Sequence, residues 1–559
     1  MRNQFQDNAT WTKGRHTIKF GMDIATTSDY VYYISNAFGS YTYQNVNDFA
    51  LDYSGNTTGT KYWSKYVQAF GNPAVNFRIG EYGFYLQDQW RATDRLTVQA
   101  GLRYEYTKMP KPTVCNHDYP GTCSVPSKPT NLAPRLGITY RLNDKTVLQA
   151  GYGMYYSRFQ GGTIDNLFTT GNGLYQQTVT LNGCLTGQTN CTSSALSQGL
   201  AGPMFPNALG AVPSGLTPAT VGLQFLDPNL KTPYSQQGNI GIQRQLASDI
   251  AISVSYLWSR GVQLYGVRDL NLPTGTANYT YTIDDINGNA VGSYTTPVTT
   301  GNRPDPRYGL ISYGENGVNS YYNGLAVQAN KQFTHGLQAM LSYTWSHEID
   351  DGQSYGESTN NLFLSNPYYW LWNGNYKADK GNGTLDQRHR VVLSWVWAPR
   401  FMHSSGPIAR YLVNGWQLSS ITSMASGHPY GSETITTKDT PPIPGIFNGY
   451  SLNGIDFSTR VPWLPVNNYL YPAMYRQDAS LTKAISFGEA DRYRLALRFD
   501  VFNVPNTWAA RSYTSSQAYT ELKGVLTPTP SLLYVPSVDA VPPDGTEARR
   551  MQIGVRFTF

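Results

Sequence analysis

The chain has 559 residues, of which only 14% are charged and 14% aromatic, and its net charge is +6 at pH 7. Soluble domains carry about 25% charged residues, and the small positive excess contains no basic run, so a nucleic-acid surface is not indicated. No stretch approaches the roughly 20 consecutive apolar residues of a membrane-spanning helix, which excludes a helical membrane protein.

The 43 Tyr and 12 Trp are side chains that favour boundaries between apolar and wet surroundings. The opening stretch MRNQFQDNATWTKGRH has no apolar segment of a signal peptide. Taken alone this fits a cytosolic protein, and it fits equally a chain whose natural start lies upstream.

Strict two-residue alternation predicts strands near 2–12, 16–26, 79–91, 95–107, 134–142, 145–156, 235–246 and 249–260, then near 321–333, 336–347, 387–398, 413–427, 476–487, 491–503 and 547–559. In RLTVQAGLRYEYT, for example, Leu96, Val98, Ala100, Leu102, Tyr104 and Tyr106 form one face. The chain ends on RMQIGVRFTF, with Met551, Ile553, Val555, Phe557 and Phe559 on one side. No amphipathic helix is expected between the strands.

The connections alternate. KGR, ATD, ND, ASD, TH and GEA are short, whereas 27–78, 108–133, 157–234, 261–320, 348–386, 428–475 and 504–546 are long, and 399–412 is intermediate. A soluble sandwich has no reason to place every long link at one end. An outer-membrane barrel does, with short periplasmic turns and long extracellular loops. The fold class read from the sequence is therefore all-β: a single domain over 1–559, an antiparallel transmembrane β-barrel with its apolar face on lipid. Asn287-Gly288 predicts a two-residue hairpin turn within the 261–320 loop.

The four cysteines form two close pairs, Cys115 with Cys123 and Cys184 with Cys191, in Pro/Gly/Thr-rich segments. Their spacing is not that of zinc ligands. Two local disulfides are expected, in an oxidising compartment; four free thiols are the alternative. His347, Glu348, Asp350 and Asp351 leave a strand end and match no metal-ligand spacing, and DDINGN at 284–289 lacks the closing acid of a calcium loop. No catalytic, cofactor-binding or metal residues are assigned. By strand parity, Arg103, Glu105, Arg135, Arg141, Arg494, Arg498, Asp500, Arg550 and Arg556 point inward, either lining a solute path or pairing to keep a wet interior soluble. Loop aromatics, including Tyr30, Tyr32, Tyr33, Tyr41, Tyr43, Tyr62, Trp63, Trp370 and Trp372, are candidates for stacking on a ligand.

Several segments resemble the barrel of TonB-dependent outer-membrane receptors, among them YGFYLQDQWRATDRLTVQAGLRYEY at 82–106 and NLAPRLGITYRLNDKTVLQAGYGMYY at 131–156. Others resemble the Oar-like branch: SYYNGLAVQANKQFTHGLQAMLSYTWSHEIDD at 320–351, DQRHRVVLSWVW at 386–397, NGWQLSSITSMASGHPY at 414–430 and RYRLALRFDVFNVPN at 492–506. The resemblance implies a barrel of about 22 strands around an N-terminal plug, of which about fifteen strands are present here and the plug and first strands are missing. It also implies transport of an unidentified large solute, energy from the TonB complex through the missing N-terminal part, and Phe557 and Phe559 as the signal read by the barrel-assembly machinery. Alternatives are a passive outer-membrane pore, a surface-binding or adhesion protein displaying its loops, and a soluble β-rich secreted protein. An odd, open set of strands leaves edges unpaired in lipid. The chain alone is expected not to refold into a monodisperse, heat-modifiable monomer; gel mobility before and after heating checks this.

Overall fold

The computed structural model describes residues 1–159, 161–182, 202–212, 221–352, 373–403, 406–430, 434–437, 445–447, 451–455, 460–489, 492–507, 512–513, 517–529, 534–535 and 548–559. Its main sheet contains all fifteen expected strands: β1 (Arg2–Lys13), β2 (His16–Tyr32), β3 (Ala74–Arg91), β4 (Leu96–Lys108), β5 (Asn131–Asn143), β6 (Thr146–Tyr156), β7 (Tyr234–Ala247), β8 (Ile250–Asp269), β9 (Tyr308–Thr334), β10 (Leu337–Asp350), β11 (His389–Trp397), β12 (Trp416–Ala425), β13 (Met474–Phe487), β14 (Tyr493–Phe502) and β15 (Arg550–Thr558). Each pairs antiparallel with the next in this series. Two short pieces join the margin: Val221–Leu226 runs parallel to the start of β9, and Gly381–Asn382 pairs with β10. Among the described residues, β1 pairs only with β2 and β15 only with β14, so the sheet has two free edges.

The register puts the apolar rows on one face. Leu86 lies opposite Leu102, Ile240 opposite Tyr256, Leu325 opposite Trp345, Leu341 opposite Leu393, and Phe499 opposite Ile553. Much of this face is uncovered by protein, with Leu86, Leu102, Ile240 and Trp345 exposed and Ile553 78% exposed. A surface of this kind is soluble only in hydrocarbon. The tight turns are built for it: between β9 and β10, His335 and Gly336 both take positive φ, 51° and 77°, the conformation of a two-residue hairpin.

Four strands run at least five residues further than alternation predicts, β3 among them, which begins at Ala74. β2 reaches Tyr32, β8 reaches Asp269, and β9 begins at Tyr308. The β8–β9 ladder slips between Gly261 and Leu264, then continues to Asp269 opposite Ser312. Beyond the slip both faces are covered by loops, and Val267, Ile311 and Val318 are buried. The apolar/polar signature vanishes there while the ladder persists.

The loops also correct two expectations. Two short α-helices occur among the described residues. Val46–Tyr53 is capped by Asn45, whose side chain accepts from the Asp48 N–H at 2.9 Å. Gly161–Phe168 buries Ile164, Leu167 and Phe168 on one face. Eight residues give too few periods for the 3.6-residue pattern to stand out. The hairpin in the 261–320 loop is present, as Gly275–Asp284 paired with Ala290–Thr300. Its turn is longer than Asn287-Gly288. The Asp285 carboxylate accepts the backbone N–H groups of Asn287 and Asn289, each at 2.8 Å, and closes a five-residue turn, Asp285–Asn289.

Neighbouring positions on β3 separate the two faces experimentally. Leu86→Arg is expected to cost about 2–4 kcal/mol near the bilayer midplane, whereas Gln87→Arg, on the opposite face, costs little. Denaturant unfolding from lipid vesicles measures both.

Candidate solute-facing surface and loop assembly

All nine inward-predicted residues lie on the polar face. Arg103 stands opposite Tyr85 and Ala133, Glu105 opposite Gly83, and Arg135 opposite Gly101 and Gly153. Arg141 stands opposite Val147. Arg494 and Arg498 face Ser486 and Thr482, and Asp500 faces Ser480. Arg550 and Arg556 face Phe502 and Ala496.

The structure does not gather these residues into one site. They form two flanks, on β4–β5 and on β14–β15, and on the polar face of β6, β7 and β8 up to Gly261 the described residues carry no charge. That stretch offers amides and hydroxyls instead: Gln149, Gln237, Asn239, Gln243, Ser253 and Ser255.

Four of the nine charges pair along their own strands, and β13 carries a further pair of the same kind. Arg103 Nε meets Glu105 Oε1 at 2.6 Å, Arg498 Nε meets Asp500 Oδ1 at 2.7 Å, and Arg476 Nε meets Asp478 Oδ1 at 3.2 Å. Positions i and i+2 share a face, so an R-x-D or R-x-E tripeptide in a strand specifies such a pair. The Arg476–Asp478 pair carries this signal and was missed, as was the cross-strand cluster in which Glu81 receives Arg2 at 3.0 Å and Arg158 at 3.4 Å. Arg141 donates to the Asp94 carbonyl at 3.1 Å, beside a short turn. Arg135 is different: its guanidinium lies 4.5 Å over the Tyr155 ring.

Two hollows open on this face. One of about 590 Å³ is lined by Gln87, Gln99, Arg135, Tyr155, Asn239 and Tyr322. The other, about 520 Å³, is lined by Gln338, Met340, Val396, Ile421, Asp478 and Arg498. Glycine makes room in the first. A Cβ on Gly151 would sit 2.6 Å from Asn239 Oδ1, and one on Gly153 2.8 Å from Tyr155 Oη. The surface can hydrogen-bond and stack.

Above the sheet the loops are tied by charge and by one disulfide. Cys115 and Cys123 are bonded; Cys184 and Cys191 lie outside the described residues, as do Trp370 and Trp372. Asp305 is a hub. It accepts Arg307 Nε at 3.0 Å and Tyr119 Oη at 2.8 Å, and Arg307 reaches on to Asp118 at 2.7 Å. The Arg307 hydrogen bond holds the Asp305 carboxyl down at about 2, and burial beside Asp305 pushes the Tyr119 hydroxyl up to about 12.

A second tie is fully buried. Arg460 Nε meets Asp379 Oδ1 at 3.0 Å and donates to the carbonyls of Val461, Leu464 and Ala378 at 3.2, 2.6 and 3.0 Å. Trp63 belongs to the loop core rather than to a stacking surface: it is buried and donates to the Pro203 carbonyl at 3.1 Å. Tyr30, Tyr32 and Tyr33 are exposed. The described residues bring together one set of potential metal ligands, Cys115, His117 and Cys123, but both sulfurs are spent in the disulfide.

Two outcomes follow for the loop ties. Arg460→Ala leaves Asp379 buried without its main cation, and a loss of about 3–5 kcal/mol is expected; amide hydrogen exchange should show it in the loops at 373–386 and 460–466. The folded Asp305 pKa is depressed from 3.8, so its contribution is complete above about pH 4 and fades towards pH 2. Pepsin cleavage near Tyr308 should accelerate across that window, and Asp305→Asn should be cleaved readily throughout it.

A family model described as "Outer membrane beta barrel domain" matches residues 1–524. The TonB-dependent transporter Oar of Myxococcus xanthus is 21% identical over 274 residues, covering 47% of this chain and 22% of that protein. Among solved structures, the outer membrane transporter YddB from Escherichia coli aligns with a TM-score of 0.49 at 12% identity, over 91% of this chain and 51% of that one. The FrpB iron transporter from Neisseria meningitidis aligns with a TM-score of 0.45 at 12% identity, over 99% and 54%. The chain thus spans about a fifth of the curated relative and about half of these transporter structures. With the family match running over residues 1–524, the chain belongs to the outer membrane β-barrel domain family and is a protein of the outer membrane.

Proposed function

We propose that the chain is the barrel portion of a non-enzymatic TonB-dependent transporter that carries a large solute across the outer membrane. The observation that carries this reading is the 274-residue similarity to the transporter Oar. The polar face supports it: a wall of amides, hydroxyls and internally paired charges lets a hydrated solute pass without binding it irreversibly.

In this proposal the free edges of β1 and β15 pair with further strands. Both edges run in the same direction, because the series is odd, so joining them to each other would need a parallel pair. Bacterial single-chain barrels have even strand numbers with antiparallel neighbours, and an odd number of added strands restores that rule. Energy would arrive from the TonB complex through a plug that precedes the barrel. Arg103, Glu105, Arg135, Arg498 and Asp500 would face the plug or the solute, and Arg141, Arg494, Arg550 and Arg556 would line the same wall. Phe557 and Phe559 would be read by the barrel-assembly machinery; Phe557 stacks on Tyr493 at 6.0 Å and Phe559 is almost fully exposed.

Deleting the gene in the source bacterium and following depletion of medium solutes tests the proposal. Uptake of at least one large solute should fall to the level seen when TonB is lost. Uptake that persists without TonB, together with steady conductance of the purified protein in planar bilayers, would identify a passive pore instead.

A further inference from the structure

The connection between β11 and β12, APRFMHSSGPIARYLVNG at 398–415, is the longest turn at the short-turn end of the sheet. It is also a built element. Asn414 accepts the backbone N–H groups of Phe401 and Met402 at 2.9 and 3.1 Å and donates back to the Met402 carbonyl at 2.6 Å. A short helix, Ile408–Val413, then lies against the sheet. Its Ala409 is buried and Arg410 Nε donates to the Ser486 carbonyl at 3.0 Å. Lys483, projecting from β13 on the apolar face, donates to the Leu412 carbonyl at 3.0 Å and lies 5.0 Å from the Trp416 ring, so the helix C-terminus is satisfied there. Gly415 has φ of 82°, and a Cβ on it would meet the Ala484 carbonyl at 2.2 Å, so this return admits only glycine.

The outer side of the element is apolar and uncovered. Phe401, Met402, Ile408 and Leu412 are exposed, with Leu412 at 67%. This patch is continuous with the apolar face of the sheet: Trp397 of β11 packs edge-on against Phe401, with centroids 6.0 Å apart, and Trp416 opens β12. Arg400, His403 and Arg410 accompany it, and residues 398–416 contain no Asp or Glu. Exposed apolar side chains on a cationic segment at the rim of a lipid-facing sheet are the chemistry of an interfacial anchor.

We propose that residues 398–403 and 406–415 form a membrane-interface foot. Phe401, Met402, Ile408 and Leu412 enter the acyl boundary of the leaflet on the short-turn side, and Arg400 and Arg410 meet phospholipid phosphates. The foot rests on the barrel reading, and the test separates the two.

The full chain, expressed in an outer membrane and reconstituted into vesicles of phosphatidylethanolamine and phosphatidylglycerol, carries the photo-crosslinking residue p-benzoylphenylalanine at one position at a time: Leu412, Leu86 or the loop-tip Ile286. Irradiation is expected to add phospholipid mass at positions 412 and 86 and none at 286. Adducts at 86 but none at 412 overturn the foot and leave the barrel standing; absence at both positions overturns the barrel reading and the foot with it. A protein adduct in place of lipid at 412 also overturns the foot. Arg400→Gln with Arg410→Gln should reduce the preference for phosphatidylglycerol in the 412 adduct, by about fivefold for each charge at the surface; an unchanged preference overturns the role given to the two arginines.

Discussion

A strand placed in hydrocarbon must give every backbone N–H and C=O to a neighbouring strand, because no water is present to take them. The rest of this protein depends on that condition. It forces fifteen strands into one continuous antiparallel ladder, and it makes each strand's partner the next in sequence, since a short turn or a loop is all that separates them. It also explains why the two margins, β1 and β15, matter: among the described residues no further strand pairs with their outer edges, and each backbone group left bare in lipid costs several kcal/mol.

Once the ladder is fixed, side-chain geometry follows. Period-two alternation sends Leu86, Leu102, Ile240 and Ile553 to one face and Gln87, Arg103, Asn239 and Arg498 to the other. Some charged members of the polar face pair with one another. Arg103–Glu105, Arg476–Asp478 and Arg498–Asp500 pair two residues apart on one strand, which neutralises them locally and leaves the wall between the flanks to amides and hydroxyls. A wall of that kind is wet, and the amides and hydroxyls between its charged flanks bind a solute weakly, as passage requires.

The two ends of the sheet solve different problems. At the long-loop end, segments far apart in sequence must be held together without a ladder, so ion pairs and packing take over: the buried pairs of Arg460 with Asp379 and of Arg303 with Asp269 at 2.7 Å, and the more exposed Asp305 hub. At the short-turn end, tight turns suffice, and the one long turn folds back on the apolar face through Lys483 and Asn414.

The fifteen strands, their facing and the alternation of loop lengths were legible from the sequence alone, because burial on one face writes itself into every second residue. So was the polar identity of Arg103, Arg498 and their companions. The upper halves of β8 and β9 were not legible, since both faces are covered there and the alternation that marks a strand disappears. The helix Val46–Tyr53 was hidden by its brevity, and the turn at Asp285 is closed by a side chain rather than by the Asn-Gly pair. Which loops touch, which arginine finds which acid, and that Trp63 is core while Tyr30 is surface depend on contacts between residues many positions apart. No local pattern encodes those distances; only the folded chain brings them together.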